Sequence, residues 1–314
     1  MGLSSAGNPP SLRLRSRPAQ AVPIALAAVA IALQIAYPLV TPGAARDRLT
    51  VIIVVVFAGA ALSHALVWRG TRFATTLFVV TTLGGLAIEV IGVSTGLPFG
   101  QYRYVDSLGM QVLGVPLVVA LAWTMMAYPA YTVSEAIGGG TVRRAVVGGW
   151  ALAAWDLFLD PQMVQAGHWQ WQTSGWELAG IPISNYAAWF VVATVMMLAL
   201  RALSVPAATA VDDRVPLVLY GWTFASSALA HAVFFGLPES ALSGGIGMGV
   251  VVFALVLARA GHARGPGAHP VRADRSRGET DNGRSTGPAP LATDPPQPAA
   301  TRWPAGRVPA RRRR

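Results

Sequence analysis

Eight apolar runs set the pattern of this chain, at about residues 21–40, 49–68, 73–93, 112–133, 144–160, 183–204, 214–236 and 242–260. Most approach the roughly 20 residues that a helix needs to cross a bilayer core. Apolar residues run all round each segment instead of along one stripe, as in helices that face lipid. The pattern predicts an all-α fold, a polytopic membrane helix bundle of about eight transmembrane helices. The fifth run is short because Pro161 is expected to end its helix. The eighth is rich in glycine, with GGIGMG starting at Gly244. No internal repeat is evident, which counts against an inverted-repeat transporter.

The flanks differ in kind. Residues 1–20 are rich in Pro, Ser and Arg and are expected to form a disordered basic arm. Arg13, Arg15 and Arg17 ahead of an apolar run also fit a signal peptide; a retained first helix is the preferred reading. Residues 261–314 turn to Gly, Pro, Arg, Thr and Asp and end in RRRR, a composition that cannot bury a core. They are expected to be a disordered tail without a catalytic role. The transmembrane domain is therefore placed at 21–260.

Arginine orients the bundle. With the N-terminus inside, the cytoplasmic loops receive Arg69, Arg72, Arg143, Arg144, Arg201 and Arg214 together with both basic ends. The opposite side receives only Arg46, Arg48 and Arg103. The side richer in Arg is cytoplasmic, so both termini are expected in the cytoplasm.

Composition sharpens this picture. Only 12% of residues are charged and 53% are hydrophobic, against about 25% charged in soluble proteins. The net charge of +10 comes from Arg alone, half of it after residue 258. Such a tail beside a membrane is expected to meet anionic lipid headgroups, not nucleic acid. There is no cysteine, which removes disulfides, thiolate metal sites and cysteine nucleophiles. Of five histidines, His262 and His269 fall in the tail, too few elsewhere for a histidine-box di-iron centre.

Few ionisable groups lie inside the runs: His64, Glu89, Asp156, Asp160 and His231. Such residues are costly in a membrane and commonly mark function. Glu89, Asp156, Asp160 and His231 all sit near the outer ends of spans that run outward, so they share one leaflet. Asp156 and Asp160, four residues apart, lie on one helix face. His64 belongs to the other leaflet and is read as a structural histidine. The loops on the acidic side, 94–111 and 161–182, are rich in Trp, Tyr, Phe, Gly and Pro. An interfacial aromatic belt is the plain explanation, yet the aromatics fall on the same side as every intramembrane acid. Trp155, Trp169, Trp171, Tyr102 and Tyr104 are candidate wall residues, with Asn185 and Tyr186 as polar-tipped additions. Arg103 is a candidate counter-ion to a carboxylate, or merely interfacial.

Two carboxylates one turn apart in a low dielectric do not both ionise readily, so one is expected to hold a proton. An acid and a base in an aromatic setting suit protonation of an apolar alkene and addition of water to the resulting cation. Other readings stay open. Asp156-x-x-x-Asp160 has the spacing of a Mg²⁺-diphosphate motif, as in an intramembrane prenyltransferase, with Asp212 and Asp213 as a second acidic pair expected in the opposite loop. Glu89, Asp156 and His231 are also the material of a proton relay in a transporter.

Four blocks of the sequence add a resemblance: GGLAIEVIGVSTGLPFGQYRY (84–104), LGVPLVVALAWTMMAYPA (113–130), AAWDLFLDPQMVQAGHWQW (153–171) and GIPISNYAAW (180–189). Together they resemble the carotenoid biosynthesis membrane proteins that include bisanhydrobacterioruberin hydratases and lycopene 1,2-hydratases, over about residues 50–260. The resemblance implies an enzyme that adds water across the terminal double bond of an acyclic carotenoid, giving a tertiary alcohol, with no redox cofactor and no metal. The family's motif acids fall on Glu89, Asp156 and Asp160. A lycopene cyclase, which would also protonate a terminal alkene, returns an isomer of unchanged mass.

Overall fold

The computed structural model of the chain describes residues 16–172, 175–204 and 211–263. The expected arm and tail lie outside them, apart from the first and last helix ends. Eight long helices follow one another: α1 (Arg17–Ala36), α2 (Ala44–Arg69), α3 (Thr71–Thr95), α4 (Leu117–Ile137), α5 (Thr141–Gln165), α6 (Ile183–Leu203), α7 (Arg214–Phe234) and α8 (Pro238–Ala263). All but α5 are long and apolar enough to cross a membrane by length and composition. Outward-facing Val191, Val195, Val250 and Phe253 are each more than half exposed, a surface that suits lipid and not water. The protein is a multi-pass membrane protein.

The helix that hydropathy misses is an inner one. α5 has 25 residues, about 37 Å at 1.5 Å per residue, and buries Trp155, Asp156, Phe158 and Asp160. A helix surrounded by other helices needs less apolar surface than one facing lipid. Its neighbours come close through glycine. A Cβ on Gly149 would lie 2.8 Å from the Cα of Thr194 in α6, and one on Gly244 or Gly247 in α8 would lie 2.7 Å from Phe158 or Leu157. The glycines of the eighth run are thus a packing seam against α5.

Pro161 does not end α5, contrary to the sequence expectation; the helix runs on to Gln165. Proline removes the backbone donor that would reach the carbonyl four residues earlier, here that of Leu157. The hydroxyl of Ser240 in α8 donates to this oxygen at 2.7 Å instead. The carbonyl is satisfied from another helix, and α5 continues. Asp160 and Asp156 therefore lie five and nine residues inside the helix end, about 7 and 13 Å along the axis at 1.5 Å per residue, deeper than expected.

Two helices contain π-helical segments, Phe78–Leu83 in α3 and Ala230–Phe234 in α7. In the first, successive Thr81 and Thr82 both reach the hydroxyl of Thr124 in α4, Thr81 at 2.6 Å.

Short strands complete the fold at one end of the bundle. β1 (Gln101–Tyr104) pairs antiparallel with β4 (Trp169–Gln172), with Tyr102 opposite Trp171 and Tyr104 opposite Trp169. The pairs β2 (Gln111–Val112) with β3 (Val115–Pro116), and β5 (Glu177–Leu178) with β6 (Ile181–Pro182), lead into α4 and α6. His168 ties this end further, bonding Ser107 at 2.8 Å and lying 3.8 Å from Asp47 at the start of α2. The other end carries the ion pairs Arg69–Asp213, Arg144–Glu135 and Arg201–Glu135. The arginine-rich end is cytoplasmic by the positive-inside rule.

Candidate active site

Alternation builds the roof of the site. In the strand sequences QYRY and WQWQ, side chains two apart share a face. Tyr102, Tyr104, Trp169 and Trp171 turn inward and Arg103 and Gln170 outward. Tyr102 stacks on Trp171 with ring centroids 4.7 Å apart, and Tyr104 meets Trp169 edge-on at 5.5 Å. Beneath this ribbon lies a cleft of about 1240 Å³, its open mouth included, reaching down between α2, α4, α5 and α7. Its wall is mostly apolar and aromatic, with Phe99, Trp155, Phe158 and Trp189 prominent.

Glu89 lines the cleft and is buried. Three donors converge on its carboxyl: the Tyr102 hydroxyl at 2.5 Å, the Tyr104 hydroxyl at 2.8 Å and the Trp123 indole N–H at 3.1 Å. Burial, followed by the neighbouring Glu89, pushes both tyrosines up from their ordinary values, so they remain hydrogen-bond donors at neutral pH. Two glycines one turn above and below make room for the donors. A Cβ on Gly85 would lie 2.7 Å from Trp123, and one on Gly92 would lie 2.6 Å from the Tyr102 hydroxyl. The motif Gly85-x-x-x-Glu89-x-x-Gly92 is therefore one helix face, an acid seated between two gaps.

The aspartates are joined through α6. The amide nitrogen of Asn185 donates to Asp160 Oδ2 at 2.6 Å and to Asp156 Oδ2 at 2.9 Å. Asp160 and Asn185 line the cleft. Asp156 does not; it is completely buried behind them, and its Oδ1 has no partner among the described residues. The two acids are thus unequal, one facing the space and one backing it.

The remaining sequence candidates divide in the same way. Trp155, Trp169, Trp171, Tyr102 and Tyr104 line the cleft. His231 does not: it is buried beside it, its Nδ1 2.9 Å from Ser240 and its Nε2 3.2 Å from Gln162, a residue that does line the space. Since the single hydroxyl proton of Ser240 goes to Leu157, Ser240 accepts from His231 Nδ1–H. His231 positions Gln162 from behind. Arg103 is exposed and bonds Gln170 at 2.7 Å across the ribbon, so it is no counter-ion to the acids. Tyr186 bonds the carbonyl of Leu178 at 3.3 Å, outside the cleft. His64 sits at the other end between Tyr128 and the carbonyl of Asp212, each at 2.8 Å, a structural placement. Asp213, bound to Arg69, lies there too, so the second acidic pair is remote from Asp156 and Asp160.

Three wall residues had escaped sequence reading. Trp189 stacks on Trp123 at 3.9 Å with rings within 6° of parallel, and Gln162 sits two residues after Asp160. Trp123 carries a usable signal: an indole N–H in an apolar run needs an acceptor, and Glu89 is a nearby buried acceptor.

Comparison with known proteins follows the same blocks. The sequence model described as carotenoid biosynthesis protein matches residues 49–263, which spans the cleft and all its acids. The chain belongs to the carotenoid biosynthesis protein family. It is 31% identical over 132 residues to the bisanhydrobacterioruberin hydratase of Haloarcula japonica, a match covering 40% of this chain and 44% of that protein. The chain thus spans less than half the length of that relative. No solved structure matches. Within this carotenoid biosynthesis protein, the family match leaves out α1, yet Gln34 of α1 lines the far side of the cleft.

Proposed function

We propose that the protein is a hydratase that adds water to the terminal double bond of an acyclic carotenoid, giving a tertiary alcohol. The observation that carries this reading is the pairing of two unlike acids in one aromatic cleft: Asp160, sharing an amide with Asp156, and Glu89, held by three donors. Family membership and the name of the Haloarcula relative support the same reading.

In the proposed reaction Asp160 is the acid. Sharing Asn185 with Asp156, it holds the one proton that two adjacent buried carboxyls retain. That proton goes to the less substituted alkene carbon, and the π electrons form the new C–H bond. The tertiary cation left behind meets the faces of Trp155, Trp169, Trp171 or Trp189, each contributing on the order of 0.5–2 kcal/mol. Glu89 is the base. Its three donors match the acceptor set of a carboxylate. The indole N–H of Trp171 is buried without a partner among the described residues, and a water accepting from it can donate towards Glu89. The water oxygen bonds to the cation and its proton passes to Glu89, so alkene plus water becomes alcohol. Return of that proton to Asp160 restores the site. The apolar wall limits other water and so protects the cation.

Expression of the chain in cells that make lycopene tests the reading. A product heavier by one water is expected; an isomer of unchanged mass would mean cyclisation, and no product at all would end the proposal for that substrate.

A further inference from the structure

At the end of the bundle opposite the cleft, three arginines from three helices meet in one hollow. Arg69 ends α2, Arg144 lies in the first turn of α5 and Arg201 lies in the last turn of α6. The hollow holds about 1070 Å³, open mouth included, and is also lined by Tyr131, Glu135 and Ser204.

The guanidinium groups are fixed in place. Arg69 forks onto Asp213 with both bonds at 2.8 Å. Glu135 is shared: one oxygen accepts from Arg144 at 2.8 Å and the other from Arg201. Arg201 also donates to Ser134 Oγ at 2.7 Å. The ring of Tyr131 lies between two cations, 5.3 Å from Arg69 and 4.8 Å from Arg201. Three cations against Glu135 and Asp213 leave one positive charge over.

Donors are left over as well. The Nε atoms of Arg144 and Arg201 and the hydroxyl of Ser204 are buried with no partner among the described residues. The Arg201 side chain is only 9% exposed. A buried charged donor without an acceptor is costly, and both carboxylate oxygens of Glu135 are already taken. A tetrahedral oxyanion supplies what is missing: several acceptor oxygens and negative charge, in the geometry that guanidinium groups favour.

We propose that this hollow binds a phosphate group. The hollow lies at the arginine-rich end, at headgroup level, where basic pockets between membrane helices take anionic lipid headgroups. A lipid phosphodiester and a free phosphate offer the same chemistry. Either would tie α2, α5 and α6 together, away from the cleft and independently of its reaction.

Thermal unfolding of the full chain in nanodiscs tests this. Wild-type protein in phosphatidylcholine discs is compared with protein in discs containing phosphatidylglycerol, and with phosphatidylcholine discs given inorganic phosphate against chloride of equal ionic strength. A rise of a few degrees in the midpoint with phosphatidylglycerol alone assigns a lipid phosphate; a saturable rise with inorganic phosphate assigns a soluble one. The rise should vanish in Arg144→Gln, which leaves Glu135 paired with Arg201, and shrink in Ser204→Ala, which removes no ion pair. Native mass spectrometry of the same samples should show one phosphate-bearing ligand retained by wild type and lost in Arg144→Gln. If neither addition raises the midpoint, or the rise is unchanged in Arg144→Gln, the hollow is not a phosphate site.

Discussion

Gly85 lies so close beneath Trp123 that a Cβ in its place would be 2.7 Å from the indole. The indole in turn donates to Glu89 and stacks on Trp189. Gly85→Ala is expected to push the ring off both partners, costing about 1–3 kcal/mol through overpacking and most of the activity. Gly84→Ala is the control, since its Cβ would meet nothing nearer than 3.8 Å. Thermal unfolding in detergent and product formation separate the two; equal behaviour would remove the packing argument.

The carboxyls should not be equivalent. Asp160→Asn and Glu89→Gln are expected to lower hydration by about 10²–10⁴-fold, the range for loss of a general acid or base. Asp156→Asn, which backs the cleft without lining it, should leave measurable turnover with an altered pH profile. Product yields from the three variants decide the order, and full activity in Asp160→Asn would displace it as the acid.

Ser240→Ala removes the hydroxyl that completes Leu157 above Pro161 and leaves His231 Nδ1 without an acceptor. A loss of about 1–3 kcal/mol is expected for such an unsatisfied buried group. Pro161→Ala restores a backbone donor to Leu157. In the double variant the two changes should therefore cost less than their sum, a coupling that a double-mutant cycle reads directly.

His168 predicts an acid-sensitive end of the bundle. Burial holds its ring below the ordinary histidine value, with Asp47 opposing in part. The unfolded chain then takes up this proton before the folded one does. Stability is complete above the ordinary value of about 6.5 and falls as pH drops from there to the lower folded value. Unfolding midpoints between neutral and mildly acidic pH should show the fall in wild type and less of it in His168→Asn.

Much of the architecture could be read from the chain, since each helix overlaps an apolar run and the crossings alone place Glu89, Asp156 and Asp160 at one end. What escaped reading depends on distant partners. Pro161 is a helix stop by every local rule, and only Ser240, on another helix, cancels it. Arg103 finds its acceptor in Gln170, on the far strand of the ribbon. The alternation in QYRY and WQWQ did carry a strand signal, but four residues are too few to stand out beside long helices. The difference in exposure between Asp156 and Asp160 depends on how α5 is rotated in the bundle, which spacing within one helix does not specify.

The π-helical segment Phe78–Leu83 has a consequence for comparing relatives. Such a turn amounts to one residue inserted into an α-helix. Removing one residue there, such as Val79, would restore regular winding and rotate all that follows by about 100°. Glu89 would then swing away from Tyr102, Tyr104 and Trp123 with no change in its own neighbours in sequence. A one-residue gap at this place in an aligned relative would therefore mark a different side chain presented to the cleft, and with it a different chemistry behind an intact GGLAIEVIG.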